Sequence, residues 1–515
     1  MQIRAIVRAM FLAMLSLHRV VAADLPLDLG FLYDRFPLVL ERGERTEIGG
    51  PLYYEQKDEG GRTWAFCPII SKRTSATPDL TEVEIGYPIF AYDRFGEEFR
   101  AHFFQVISFS GGRSTKGGET KRVTLFPFYF QQRSRERPQD NYTALLPIYG
   151  RLKNRFFRDS VHFVALPLYV RSTKRDVVTD NFIYPIFHLR RGPQLKGWQV
   201  WPVAGSETRQ PSQTTNNWGD TVPLPGHIRS FILWPFFMQA RTDIGGTNET
   251  RQLAALPFYT RTRSPARDST SYGFPLGFTH TVDRAAGYEE WDLPWPLVVF
   301  ARGPGKHVNR VWPIYSKGRT PTLQSDFILW PIYKMNRVTA DPLDRKRTRI
   351  LLFLYSDLIE KHTGRNTAFR RRDFWPLYTH RVEHNGNRRL QVLAPLEPLI
   401  PNNKSIERVY SPVWSVWRSE RNAQTAEKSQ SLLWNLYRHE QGPDRRKVSL
   451  LFGLFHYESA RGEKTWRVFY VPMKYSRSCW AVDARQVNPP VSTNEEARAV
   501  TGPNNRASVS ASVSN

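Results

Sequence analysis

The sequence predicts an all-β protein: a large antiparallel meander of about 20–22 strands that closes, or nearly closes, into a β-barrel. Three observations predict it. A proline-centred apolar motif recurs about every 20 residues between Pro51 and Pro472. Composition favours strand formers, with 15 Trp, 22 Tyr and 32 Phe among 515 residues. Helical repeats and four-stranded propeller blades have longer signatures than this spacing allows.

The elements follow in chain order. Residues 1–22 read as a secretory signal, with Arg4 and Arg8 ahead of "AMFLAMLSL" (9–17) and a small-residue cleavage site in "VVAA" (20–23). That apolar stretch is too short for a bilayer span, which takes about 20 residues. Residues 23–48 lead into the repeat array, which covers 49–474. Residues 475–515 form a tail rich in Ser, Asn and Pro, predicted to be disordered. The longest interruption of the array, "GSETRQPSQTTNNWGDTVPLPGHIRS" (205–230), is a polar loop and the most specialised element of the chain.

Each repeat reads as one strand. In "FILWPIYKMNR" (327–337) the apolar centre holds Trp330-Pro331-Ile332-Tyr333. Proline cannot donate to a ladder, so either the strand bulges there or the missing N–H faces away from a partner. Asn435 and Gly453 replace proline in two repeats, and both tolerate turn-like backbone, which favours the bulge. Alternation places Leu329, Pro331 and Tyr333 on one face and Ile328, Trp330 and Ile332 on the other. Both faces are apolar, so Trp330 is expected to be buried.

The formal net charge is +25, and +22 without Arg4, Arg8 and Arg19 of the signal. Export directs such a charge away from nucleic acid and towards outer-membrane lipid, lipopolysaccharide or anionic glycan. A basic residue follows the motif centre at three to six positions: Arg151, Arg171, Arg190, Arg241, Arg261, Lys317, Lys334, Arg381, Arg418 and Arg438. These ten are the candidate anion-binding residues. Solvated charge guarding strand ends would produce the same pattern.

Catalytic signatures are missing. There is no HExxH, GxSxG, Walker A or Rossmann fingerprint. "GGRSTKGGET" (111–120) lacks the Gly-Lys-Ser/Thr ending and reads as a hairpin loop. His380 and His384 flank Glu383, yet they follow a strand and read as a turn rather than a helical metal site. "YEEWD" (288–292) reads as a loop-to-strand junction. The reading is therefore a non-enzyme with no cofactor and no metal. Spacing leaves open whether Cys67 and Cys479 pair.

The segments "LFPFYFQQRS", "WPIYKMNR" and "LAPLEPLIPNNKSIERVYSPVWSVWRSE" resemble a group of exported bacterial β-repeat proteins of the WPIY type. The resemblance covers nearly the whole mature chain and implies an envelope setting; it carries no activity and no functional residues. Two readings follow. One is an outer-membrane β-barrel with a passive transport or envelope-structural role. The other is a soluble periplasmic or cell-surface β-repeat scaffold that binds an anionic glycan or lipid headgroup.

Overall fold

The structure is a computed structural model that describes residues 29–114, 118–215, 219–460 and 463–474. The expected signal, its cleavage site near Ala22 or Ala23, the expected disordered tail and Cys479 lie outside those residues. Strands make up 61% and helices 4% of the described residues, so the class is all-β. One sheet holds 43 strands, and each pairs antiparallel with its neighbours in sequence. Asp34–Pro37 pairs only with Gly43–Ile48, and Val471–Lys474 only with Glu463–Val468. Among the described residues the ladder therefore does not close on itself by hydrogen bonds.

The strand count corrects the expected 20–22. Each repeat of about 20 residues is a hairpin of two strands rather than one strand. Strands hold four to eight residues, and six-residue strands alternating with turns of two to four residues fill the period. Residues 23–48 also do more than lead in, since Asp34–Pro37 and Gly43–Ile48 already form the first pairing. The array expected over 49–474 is not strand throughout, since the stretch holding Pro395 and Pro412 forms none. That segment is an insertion between Arg388–Val392 and Trp417–Arg421, with two short helices, Lys404–Val409 and Ser411–Trp414.

The phase of the motif is corrected as well. Pro331 sits in a turn between Leu323–Ile328 and Tyr333–Ala340, not at a strand centre. Fourteen prolines from Pro68 to Pro376 occupy equivalent turns, each after a cis peptide bond. The proline's missing N–H costs nothing here, because the ladder has already ended. Its carbonyl is used instead: the N–H of Trp330 donates to the Pro313 oxygen of the preceding turn at 2.7 Å, and Leu329 N–H to Ile314 at 2.6 Å. The same turn-to-turn bond joins Trp234 to Pro202 and Tyr184 to Pro167. Leu329 carries φ +46°, and Leu233 and Ile183 match it in their own four-residue turns. Trp330 is 39% exposed, so the expected burial on both faces does not hold.

The first strand residue lies two positions after the proline, and pairing register carries it across the sheet. Tyr315, Ile328, Tyr333, Ile350, Tyr355, Phe374 and Tyr378 follow one another through six consecutive pairings. We call the side they occupy the tyrosine face. The other face carries the core. Phe130, Tyr142, Ala144, Leu152 and Phe163 form its largest buried cluster. Tyr54, Ala65 and Cys67 form a second, and Val299, Ala301 and Val308 a third. Many buried positions between them are small or polar, such as Ser71, Ser271, Ser316 and Ser356.

The two ends of the ladder meet through this opposite face. Asn435 donates to Glu47 at 2.9 Å and to Asp34 at 3.2 Å. The Arg438 guanidinium lies 3.3 Å above the Phe36 ring, and Phe31 packs edge-on against Phe452. Asn422 donates to the Val39 carbonyl at 2.9 Å. The inserted helices add to this clasp: Tyr54 donates to the Arg408 carbonyl, and the Arg408 side chain pairs with Glu82 at 2.9 Å. Burial opposes ionisation of Glu420 within the clasp, yet Arg418 and Arg389 hold its carboxyl down at about 2. Cys67 is buried and forms no disulfide among the described residues, and burial pushes its thiol up to about 12.

Candidate functional site: an apolar turn edge backed by a cationic row

Because strands alternate in direction, successive turns alternate between the two edges of the sheet. Every proline turn of the repeat therefore falls on the same edge. Outside the insertion 393–416, no turn on this edge contains Asp, Glu, Lys or Arg among the described residues. Its tips are apolar and exposed: Trp234, Phe236, Phe258, Leu276, Trp312 and Trp330, with Leu276 at 79%. Neighbouring tips touch, with ring centroids 5.9 Å apart for Trp312 and Trp330 and 5.7 Å for Trp201 and Trp234. Apolar patches of this length are not needed for folding and mark contact surfaces.

The opposite edge differs. Its turns carry charge in most hairpins, as in Glu59, Arg175-Asp176, Asp341 and Asp444. Phe156-Phe157 is an apolar exception.

A cationic row accompanies the apolar edge on the tyrosine face. From Arg319 to Lys464, register places Arg319, Arg337, Lys346, Arg370, Arg388, Arg421, Lys428, Arg446 and Lys464 in one line, with no carboxylate in it. Arg337 lies four residues beyond Tyr333, about 13 Å along the strand. Arg337 and Arg370 are held by Asp344 and Asp357, at 2.8 and 2.7 Å. Lys346, Arg388, Arg421, Arg446 and Lys464 are exposed and have no ion-pair partner among the described residues.

The ten sequence candidates do not form one stripe. Parity decides their placement, since an even offset from the proline lands on the tyrosine face and an odd offset on the other. Arg151, Arg171, Arg241, Arg261 and Lys317 lie on the tyrosine face. Arg190, Lys334, Arg381 and Arg438 lie on the opposite face, joined by Arg418 beyond the insertion. Six are already engaged by carboxylates. Arg171 pairs with Asp180, Arg241 with Glu249, Arg418 with Glu420 and Arg438 with Glu440, at 2.6–3.0 Å. Arg190 pairs with Glu207 and Arg381 with Glu407. Arg151, Arg261, Lys317 and Lys334 have no such partner among the described residues.

No member of the row from Arg319 to Lys464 is among the ten sequence candidates, which are the first basic residues after each motif. In the repeat 327–337 that residue is Lys334, on the opposite face, while Arg337 behind it joins the row.

Other motifs find structural places. "YEEWD" is a complete strand, Tyr288–Asp292, rather than a junction, and Glu290 there pairs with Lys306. His380 sits in the strand Tyr378–Val382, while His384 lies in the following turn against Phe369. Among the described residues no three His, Cys, Asp or Glu side chains converge as metal ligands. "GGRSTKGGET" spans the hairpin joining Ile107–Ser114 to Gly118–Leu125, with residues 115–117 outside the description.

Neither protein-family models nor curated proteins match this chain.

Proposed function

We propose that the protein is a non-enzymatic envelope scaffold that docks edge-on to an anionic lipid surface. The observation that carries this reading is the charge-free aromatic edge with a cationic row about 13 Å above its first strand residues. Aromatic side chains sit well at the headgroup level, and interfacial elements bury their apolar side about 5–10 Å deep. Long Arg and Lys side chains then reach lipid phosphates, each contributing about 1 kcal/mol near the surface. The envelope setting rests on the signal expected over 1–22 and on the resemblance to exported repeat proteins.

Strand length favours docking over spanning. A bilayer-crossing strand needs about 9–11 residues, whereas these hold four to eight. The outer-membrane barrel is kept as the second reading because the meander is wholly sequential and its two ends meet.

Flotation of the mature chain with vesicles tests the proposal. It is expected to float with vesicles containing anionic lipid, to float weakly with zwitterionic ones, and to be released as salt rises. In cells, a product cut near Ala22 or Ala23 is expected in the envelope fraction and in its salt wash. Failure to float with anionic vesicles overturns docking. Retention that only detergent reverses supports the barrel.

A further inference from the structure

Among the described residues, the segment 210–225, inside the expected polar loop 205–230, is the one place where the charged edge departs from simple hairpins by adding strands. Its flanks, Ala204–Arg209 and Gly226–Ile232, pair with each other and keep the ladder unbroken. The residues between them form a separate two-stranded hairpin, Ser212–Thr215 with Thr221–Leu224. This hairpin adds nothing to the ladder. It supplies one wall of a cavity of about 730 Å³ at the charged edge.

The cavity is cationic. Arg158, Lys174, Arg175, Arg190 and Arg209 line it, against the single carboxylate of Asp176. Glu207 engages Arg190. The other four cationic side chains have no carboxylate partner among the described residues. Like charges around one volume repel, and the strand ends hold them there regardless. An anion entering the cavity relieves that repulsion. Charge-assisted bonds to phosphate are the strongest such contacts available to Arg and Lys. The remaining lining divides in two. Gln194, Gln213 and Thr214 offer amides and a hydroxyl, while Leu195, Pro211 and Leu224 offer an apolar wall. The size lies within the range of small-molecule sites, about 300–1,000 Å³.

We propose that this cavity binds a phosphorylated sugar. The phosphate meets the cations, the sugar hydroxyls meet the amides and hydroxyl, and the C–H face of the ring meets the apolar wall. The site is independent of membrane docking, because it lies on the edge opposite the proline turns.

Titration calorimetry on the mature chain tests it, with glucosamine 1-phosphate, glucosamine and inorganic phosphate as probes. The sugar phosphate is expected to bind at least tenfold more tightly than inorganic phosphate, and glucosamine not to bind detectably. The double variant Lys174→Gln/Arg209→Gln is expected to lose at least tenfold in affinity, and Asp444→Asn, on a hairpin far along the ladder, to lose none. Gln213→Ala/Thr214→Ala, on the exposed hairpin, provides a second reading should the first variant fail to fold; it is expected to weaken the sugar phosphate and leave inorganic phosphate unchanged. Vesicles bearing a lipid-linked phosphorylated sugar distinguish the source: competition with the soluble probe assigns a lipid headgroup, and its absence assigns the free sugar phosphate. No binding, equal affinity for inorganic phosphate, or affinity unchanged in both variants overturns the proposal.

Discussion

The two edges of this sheet are built from the same strands and differ in nearly everything else. On the proline edge the turns are apolar and bond to one another, as Trp330 does to Pro313. On the other edge the turns are mostly charged, and many close on themselves, as Ser264 does with Arg267 and Gly442 with Arg445. An amphipathic sheet ordinarily sorts apolar from polar residues between its faces, with a period of two. Here much of the sorting runs along the strand instead. Large side chains at the proline edge are therefore surplus to the core, and their exposure asks for a partner.

The largest expected effect separates core from edge by stability. Phe163 is 1% exposed within the main buried cluster. Phe163→Ala is expected to cost about 3–5 kcal/mol through the cavity it leaves. Trp330→Ala, at the proline edge, is expected to cost less than about 1 kcal/mol, as surface substitutions away from special features do. Denaturant melts of the two variants check this. Equal losses would mean that the edge aromatics belong to the core, and the comparison would collapse.

Next comes the cationic row. Arg388→Gln, Arg421→Gln and Arg446→Gln together are expected to weaken anionic-vesicle binding by about 3 kcal/mol, near a hundredfold, and to flatten its salt dependence. The melting temperature is expected to stay within a few degrees. The same three changes placed at Arg171, Arg190 and Arg438, which carboxylates already engage, are expected to affect stability more than binding.

How much of this was legible in the sequence has a physical answer. The 20-residue period, the β class and sequential antiparallel pairing were all readable from "WPIY" and its spacing. The phase was not. The most apolar stretch reads as a buried strand centre only if apolar means interior. Proline pointed the other way, since an X-Pro step between strands is a turn signal. The candidate cations divide between the two faces for the same reason. With the strand starting two residues after the proline, Arg337 and Lys334 fall on opposite faces, and Arg337 joins the row. Nothing in the sequence indicated that Asn435 would bridge to Asp34 and Glu47, about four hundred positions away, because such contacts depend on where a long ladder carries its ends.

Turn insertions offer a smaller test. Two extra residues between Leu329 and Ile332 are expected to break the bonds from Leu329 and Trp330 to the preceding turn, and to cost about 2 kcal/mol at roughly 1 kcal/mol per bond. The same insertion between Pro443 and Asp444, both exposed on the charged edge, is expected to cost only a few tenths, because lengthening an exposed loop is cheap. Thermal melts of both variants decide it, and similar losses would show that the proline edge is no more ordered than its counterpart.

The smallest effect asks whether the opposite face is sealed from water beside the proline edge. Asp292 ends the strand Tyr288–Asp292 next to an apolar turn, and it is 4% exposed. Its Oδ1 has no hydrogen-bond partner among the described residues. Burial, and then the charge on Glu290, pushes its carboxyl up from 3.8 to about 6, against the pull of Lys306 and Arg310. A carboxyl raised on folding favours the folded state while protonated. That contribution is complete below about pH 4 and is lost as pH climbs through about 6. Asp292→Asn cannot ionise, so the variant is expected to match the wild type near pH 4 and to exceed it by about 1 kcal/mol above pH 7, after allowance for screening. Melts of both proteins across that range check the difference, which cancels the titration of every other group. A difference that stays flat with pH would mean that water reaches Asp292. The opposite face would then be open at the proline edge, and the contrast between a wet charged edge and a dry apolar one would hold for the tyrosine face alone.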